Sequence, residues 1–319
     1  MFTQIPRRNP AWIALLLPLC TLLVAHAGGC NSAPSETHGQ KTFSTPQSAV
    51  ESLAAAARKG DTAELSEIFG PEGKEILSSG DPVADRNNRQ VFLVAFDEQW
   101  KLEEPTEKSR ELIIGDEQWP FPVPLVKEKS GWRFDTAAGK HEVLARRIGR
   151  NELAAIGVCR MYVIAQRQYA AASHDGLPAG SYAQKIRSEP GRHDGLYWAS
   201  TDAADGISPL SDFAAQAVSE GYSAAGTAQP RPYQGYYFRI LTQQGIDAPG
   251  GRKNYIVDGA LKDGFALIAY PAAYGNSGIM TFIINQNGVL HEADLGPETL
   301  SIAEAIKAFD PDIRFQKTR

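Results

Sequence analysis

Four carboxylates, Asp81, Asp85, Asp97 and Glu98, crowd the stretch SSGDPVADRNNRQVFLVAFDEQW and make the best case in this chain for acid–base chemistry. A carboxyl group serves as a general acid or base when burial or a like charge raises its pKa toward neutrality. The structural alternative has Asp81 opening a turn before Pro82, Asp85 capping the following helix, and Asp97 facing water. That alternative is the stronger, because capping and surface carboxylates far outnumber catalytic ones. Outside the N-terminal leader, His38, His141, His174, His193 and His291 show no paired ligand spacing, so each is expected to be exposed or locally bonded and no metal is expected. Asp175 in SHDGLPAGSY is a lone carboxylate, too few hard ligands for calcium. The aromatic residues Tyr197, Trp198, Tyr233, Tyr236 and Tyr237, with Phe238, form a candidate surface for a ligand or partner. Packing of an antiparallel sheet accounts for half of them without one.

Other chemistry is excluded by motif. There is no G-x-S-x-G nucleophile elbow. GPEGKE, Gly70 to Glu75, has the wrong spacing for a phosphate loop and no Ser or Thr after Lys74. DAPGGRKNY is not a dinucleotide fingerprint, so no cofactor is expected. A formal net charge of −5 without a dominant basic patch argues against nucleic acid and against electrostatic attachment to anionic lipid.

The elements that must position these residues follow from period and punctuation. Thr45 and Pro46 start a helix in which Val50, Leu53 and Ala54 recur at helical spacing. Gly60 ends it, and Asp61 with Glu64 opens a second helix carrying Leu65, Ile68 and Phe69. DRNNRQVFLVAFDEQW predicts a third, with Val91, Val94 and Ala95 on its inner face. SRELIIGDEQW and FPVPLVKEKSGWRFD then read as strands, with Pro120, Pro122 and Pro124 confining WPFPVP to an edge or covering role. DTAAGKH, Asp135 to His141, has the small residues of a hinge. A long helix follows, with Ile156, Cys159 and Val163 on one face and Arg146, Arg147, Arg150 and Arg160 at polar positions. After Gly/Pro/Ser-rich loops and a short helix in PLSDFAAQAVSEGY, an antiparallel meander runs through YQGYYFRILTQQG, GFALIAYPAAYG and SGIMTFIINQNGVLHEADLG. Asn287-Gly288 is its hairpin signal. Met280, Phe282 and Ile284 alternate with Ile279, Thr281 and Ile283, all apolar but Thr281, so this strand is expected to be central. PETLSIAEAIKAFD reads as a closing helix. The expected class is α+β, with a small helix-then-sheet domain at 43–138 and a helix-on-sheet domain at 139–319.

Residues 1–29 read as a secretory leader: Arg7 and Arg8 precede the apolar run AWIALLLPLCTLLVAHA, which is short for a membrane span and holds Pro18. AHA would permit cleavage before Gly28. AGGC, Ala27 to Cys30, is similar to a bacterial lipobox, and acylation of Cys30 is favoured, with the polar segment 30–42 as tether. Asn31 in place of Asp points to the outer membrane. Once Cys20 leaves with the leader, Cys159 has no disulfide partner and is expected to be a buried structural thiol.

Three resemblances accompany these readings. RNELAAIGVCRMYVIAQRQYA followed by GYYF, FALIAYP and SGIMTFIINQNGVL resembles the head domain of type IV pilins and pseudopilins over about Leu144 to Leu295. The polymerising Gly-Phe-Thr-Leu-Ile-Glu helix of those proteins is missing, which speaks against a filament subunit. F-x-T-P-x-x-A-V-x-x-L-x-x-A-x-x-x-G-D resembles the opening of the cone-shaped superfamily of nuclear transport factor two and ketosteroid isomerase. From Phe43 to Asp310 the chain is most similar to the bacterial domain-of-unknown-function 2950 family, through SSGDPVADRNNRQVFLVAFDE, WPFPVPLV and GWRFDTAAGKHEVLARRIGRNELAAI. That resemblance implies export and supplies no activity. The expected function is binding at the periplasmic side of a Gram-negative envelope, with another envelope protein or a cell-wall component as partner and membrane contact through the lipid alone. The alternatives are a pocket enzyme of hydrolase or isomerase type in the N-terminal domain, and an accessory part of a pilus or secretion assembly.

Overall fold

The computed structural model describes residues 39–199, 206–222 and 231–318. The leader, His38 and Cys30 lie outside the described residues. Thr45 begins α1, Pro46–Lys59, with a capping box: its hydroxyl accepts the Ser48 N–H at 3.1 Å. Gly60 ends α1 at φ 65°, and Asp61 caps α2, Thr62–Phe69, by accepting the Glu64 N–H at 3.0 Å. A short α3, Gly73–Leu77, precedes α4, Pro82–Glu98. The cap of α4 is Asp81 and not Asp85. Pro82 supplies the preset φ of a first helical residue, and Asp81 accepts the N–H groups of Val83 and Ala84, both at 3.1 Å.

The inward face of α4 also differs from expectation. Val91 and Val94 are 54% and 62% exposed, whereas Phe92, Ala95 and Phe96 pack on the front core. Phe92 and Phe96, four residues apart, place their rings 5.8 Å apart. An aromatic pair buries more area than two valines, so the helix rolls to bury it.

The front sheet comprises β1 (Trp100–Thr106), β2 (Ser109–Ile114), β3 (Trp119–Pro120), β4 (Leu125–Glu128) and β5 (Gly131–Phe134), in the antiparallel order β1-β2-β4-β5 with β3 on the end of β2. The proline-rich segment thus adds two paired residues, after which Phe121 N–H reaches Leu112 O at 2.7 Å.

Asp135 to His141 is not a loop: α5 runs Thr136–Ala170. The small residues serve close packing, since a Cβ on Gly139 would lie 2.6 Å from Val123 Cα and Pro122 O. Thr136 anchors the first turn by donating to Phe69 O at 2.7 Å. Cys159 and Val163 are buried as the periodicity predicts, but Arg147 is only 5% exposed.

Beyond α5 come α6 (Ser211–Ser219), β6 (Tyr236–Leu241) and four short strands, β7 (Gln243–Gln244), β8 (Lys253–Asn254), β9 (Ile256–Val257) and β10 (Ala260–Leu261). Then follow β11 (Ala266–Pro271), β12 (Met280–Asn285), β13 (Leu290–Asp294), α7 (Thr299–Ala305) and β14 (Gln316–Lys317). The back sheet has the antiparallel order β14-β13-β12-β11-β6, with β12 central. Phe238, Ala269 and Phe282 stand abreast on the α5 side; Arg239, Ile268 and Ile283 stand abreast on the other. On that second side Arg239 donates to Ala303 O and Ile306 O at 2.8 and 2.7 Å, so α7 covers it. The turn after β12 is wider than a two-residue hairpin. Ile284 pairs with Leu290, and Gly288, at φ 75°, donates to Asn285 O at 2.9 Å.

The described residues belong to one compact unit holding two hydrophobic cores, one under the front sheet and one around the back sheet. The fold is α+β. Among the described residues no helix is long and apolar enough to cross a membrane.

Candidate functional site

The four carboxylates divide between the two ends of α4, Asp81 and Asp85 at its start and Asp97 and Glu98 at its end. Asp81 is 1% exposed: one oxygen caps α4, and the other accepts Tyr222 O–H at 2.7 Å and Gly235 N–H at 3.2 Å. Burial, reinforced by Asp81, pushes the Tyr222 phenol up. Asp85 accepts the Ser79 N–H at 3.1 Å, Asp97 pairs with Arg58 at the surface, and Glu98 accepts the Asp116 N–H at 3.3 Å. Each has a structural partner, and no two form an acid–base pair.

The aromatic candidates likewise have structural contacts of their own. Tyr236 is a core residue whose hydroxyl donates to Met280 O at 2.9 Å. Tyr233 packs against Tyr222 and Phe213 and donates to Glu220 at 3.2 Å. Tyr237 lies 5.7 Å from the Tyr270 ring, and Tyr197 sits beneath Arg187. Trp198 is buried against His193 and His174 at centroid distances of 4.6 and 5.6 Å. Asp175 accepts the His193 N–H at 2.6 Å, which ties down its loop. His141 is exposed on α5, and burial, with Lys317 adding to it, holds His291 below its ordinary value. Among the described residues no three His, Cys, Asp or Glu side chains converge to hold a metal ion. Burial pushes the Cys159 thiol up to about 12, so it stays protonated and unreactive.

The structure instead offers a half-open cavity of about 260 Å³ lined by α1, α2, α3, α4, the front sheet and the first half of α5. Its floor is apolar: Leu53, Leu65, Phe69 and Val123 are each less than 5% exposed. Its rim is cationic: Arg89 from α4 and Arg146, Arg147 and Arg150 from α5 line it, against the single carboxylate Asp85. Arg147 is held by Glu75 O at 2.8 Å, Ile76 O and Asn276 Oδ1. Arg146 donates to Glu142 at 2.6 Å and Pro120 O at 3.3 Å. Arg150 is open to solvent, yet enough protein surrounds its guanidinium that desolvation lowers its pKa. Arg147 is lowered too, by burial and by Arg150, with Asp85 opposing. Neither Arg89 nor Arg150 has a hydrogen-bond or ion-pair partner among the described residues.

A family model described as "Protein of unknown function (DUF2950)" matches residues 40–318. The chain belongs to this family. No curated protein and no solved structure matches it.

In this DUF2950 chain the sequence raised a pocket in the N-terminal domain through its carboxylates, and missed the arginines that line it. Its lining comes from segments spread between Leu53 and Arg150, and no motif joins them. One signal was present: Arg146, Arg147 and Arg150 fall within one helical turn, and Arg89 sits three residues before Phe92 on another amphipathic helix. A cluster of arginines facing an apolar stripe is a pattern to test for anions.

Proposed function

We propose that this protein is exported, held at the envelope through a lipid on Cys30, and works there by binding a small molecule in the cavity between α4 and α5. The observation that carries the reading is the lining itself. A largely apolar cleft with a few polar groups at one side is the usual form of a ligand site. The lining includes no histidine, cysteine, serine or glutamate, and its one carboxylate already accepts from Ser79. That composition suits capture better than turnover. A larger envelope protein or cell-wall component as partner fits the same address, with the cavity taking one exposed group of it.

Two measurements test the proposal. Cys30→Ser should release the protein into the soluble periplasmic fraction, since the tether offers no other apolar anchor. Retention in a salt-washed membrane pellet would refute anchoring through this residue. Val91, exposed and part of the rim, allows the cavity to be covered from outside the core. Val91→Trp should abolish ligand-induced gains in melting temperature while leaving the unliganded value in place. Turnover of small esters or enols by the purified chain, abolished by the same substitution, would replace binding with catalysis.

A further inference from the structure

We propose that the ligand is a compact amphiphile: a single anionic head, carboxylate or phosphate, held by Arg150 and Arg89, on an apolar body lodged against Phe69, Phe92 and Phe121. This rests on the cavity being the ligand site. Four guanidinium groups line one small opening with one carboxylate among them, so the rim carries uncompensated positive charge beside an apolar floor. Gathering like charges next to a low-dielectric surface is unfavourable unless something neutralises them. Asp85 answers the charge of Arg147, outweighing its repulsion by Arg150, which leaves Arg150 and Arg89 as the cations without a counter-charge.

Two of the four cations are committed elsewhere. Arg147 holds the carbonyls at the end of α3, and Arg146 is shared between Glu142 and Pro120 O. Arg150 and Arg89 have no partner among the described residues, and they stand on facing helices, α5 and α4. Asn88, beside Arg89 and also in the lining, adds an amide donor. Planar guanidinium forks match carboxylate and phosphate oxygens in bidentate fashion, which a point-charge ammonium does not. The choice of arginine throughout the rim, with no lysine in the lining, agrees with an oxyanion head.

Size sets the rest. About 260 Å³ lies just below the usual range for ligand pockets, too small for a two-chain lipid. The floor residues are aliphatic and aromatic, so the enclosed part of the ligand is uncharged. A single short alkyl chain or one ring fits that description.

The test uses the processed full chain carrying Cys30→Ser and calorimetric titration with four probes that share one body: octanoate, octyl phosphate, octanol and octylammonium. Both anions should bind, octanol about tenfold or more weaker, and octylammonium not at all. The ratio of the two anions distinguishes a carboxylic acid from a phosphorylated amphiphile as the source. Arg150→Gln and Arg89→Gln should each weaken octanoate about fivefold or more with melting temperature unchanged, Arg150→Lys should lose less than Arg150→Gln, and octanol should respond to none of them. Octanol binding as tightly as octanoate, or octanoate insensitive to both glutamine variants, overturns the anionic head while the cavity reading stands, provided Val91→Trp still blocks binding. Absence of binding by all four probes overturns both.

Discussion

Asp81 illustrates what a single side chain does in this molecule. Its buried carboxylate accepts from two N–H groups at the start of α4, from Tyr222, and from Gly235 at the entry to β6. It joins residues more than a hundred positions apart. Asp81→Ala would strand those donors, and buried donors left unsatisfied are costly, so a loss of about 3 kcal/mol is expected in urea denaturation. Asp81→Asn, which keeps one acceptor oxygen, should lose less. A neutral Asp81→Ala would show that water replaces the carboxylate. At this scale the sequence was legible where chemistry is local: Thr45 and Asp61 cap as their spacing predicts, and Cys159 is a buried thiol. It was illegible where a polar side chain has a distant partner. Arg147 occupies a polar position of α5 and yet is buried, because the carbonyls it binds belong to α3, about seventy residues earlier.

Elements were legible in proportion to how strongly their pattern was punctuated. The helices with caps and the meander with β12 at its centre emerge from the residues alone. β1 does not, since WKLEEPT is charged and proline-containing. It is an edge strand, mostly exposed, and edge strands are kept from aggregating by just such residues. The central strand gives the sharpest element-scale test. Phe282 faces α5 and Ile283 faces the α7 side, each 1% exposed or less. Phe282→Ala should cost about 3 kcal/mol or more and Ile283→Ala at least about 2 kcal/mol. Asn287→Ala, in the turn, should cost less than about 1 kcal/mol. If Ile283→Ala left stability intact, α7 would not be the cover of that face.

At the scale of the whole molecule α5 decides the behaviour. Its 35 residues extend about 52 Å. Its first half packs on the front sheet through Gly139 and Val143, and its second half on β11, β12 and β13. Asn151 donates to Ser277 O at 2.9 Å, and Glu152 accepts the N–H groups of Ile279 and Met280, both at 3.0 Å. Both cores therefore share one helix, and the folded body should unfold in a single transition. In a Trp198→Phe variant the remaining described tryptophans, Trp100, Trp119 and Trp132, report only the front half. Their fluorescence should coincide with far-UV dichroism through urea denaturation. A biphasic dichroism curve would show that the halves melt separately.

The grip of Asn151 and Glu152 on the strand before them has a consequence for how such a protein diverges. Arg150 immediately precedes Asn151 on the helix, so the width of the cavity depends on where the back sheet holds α5. Ser277, Ile279 and Met280 take part in that grip and are not among the residues that line the cavity. Related chains can therefore drift toward ligands of different bulk by altering this loop alone, while every lining side chain is inherited unchanged.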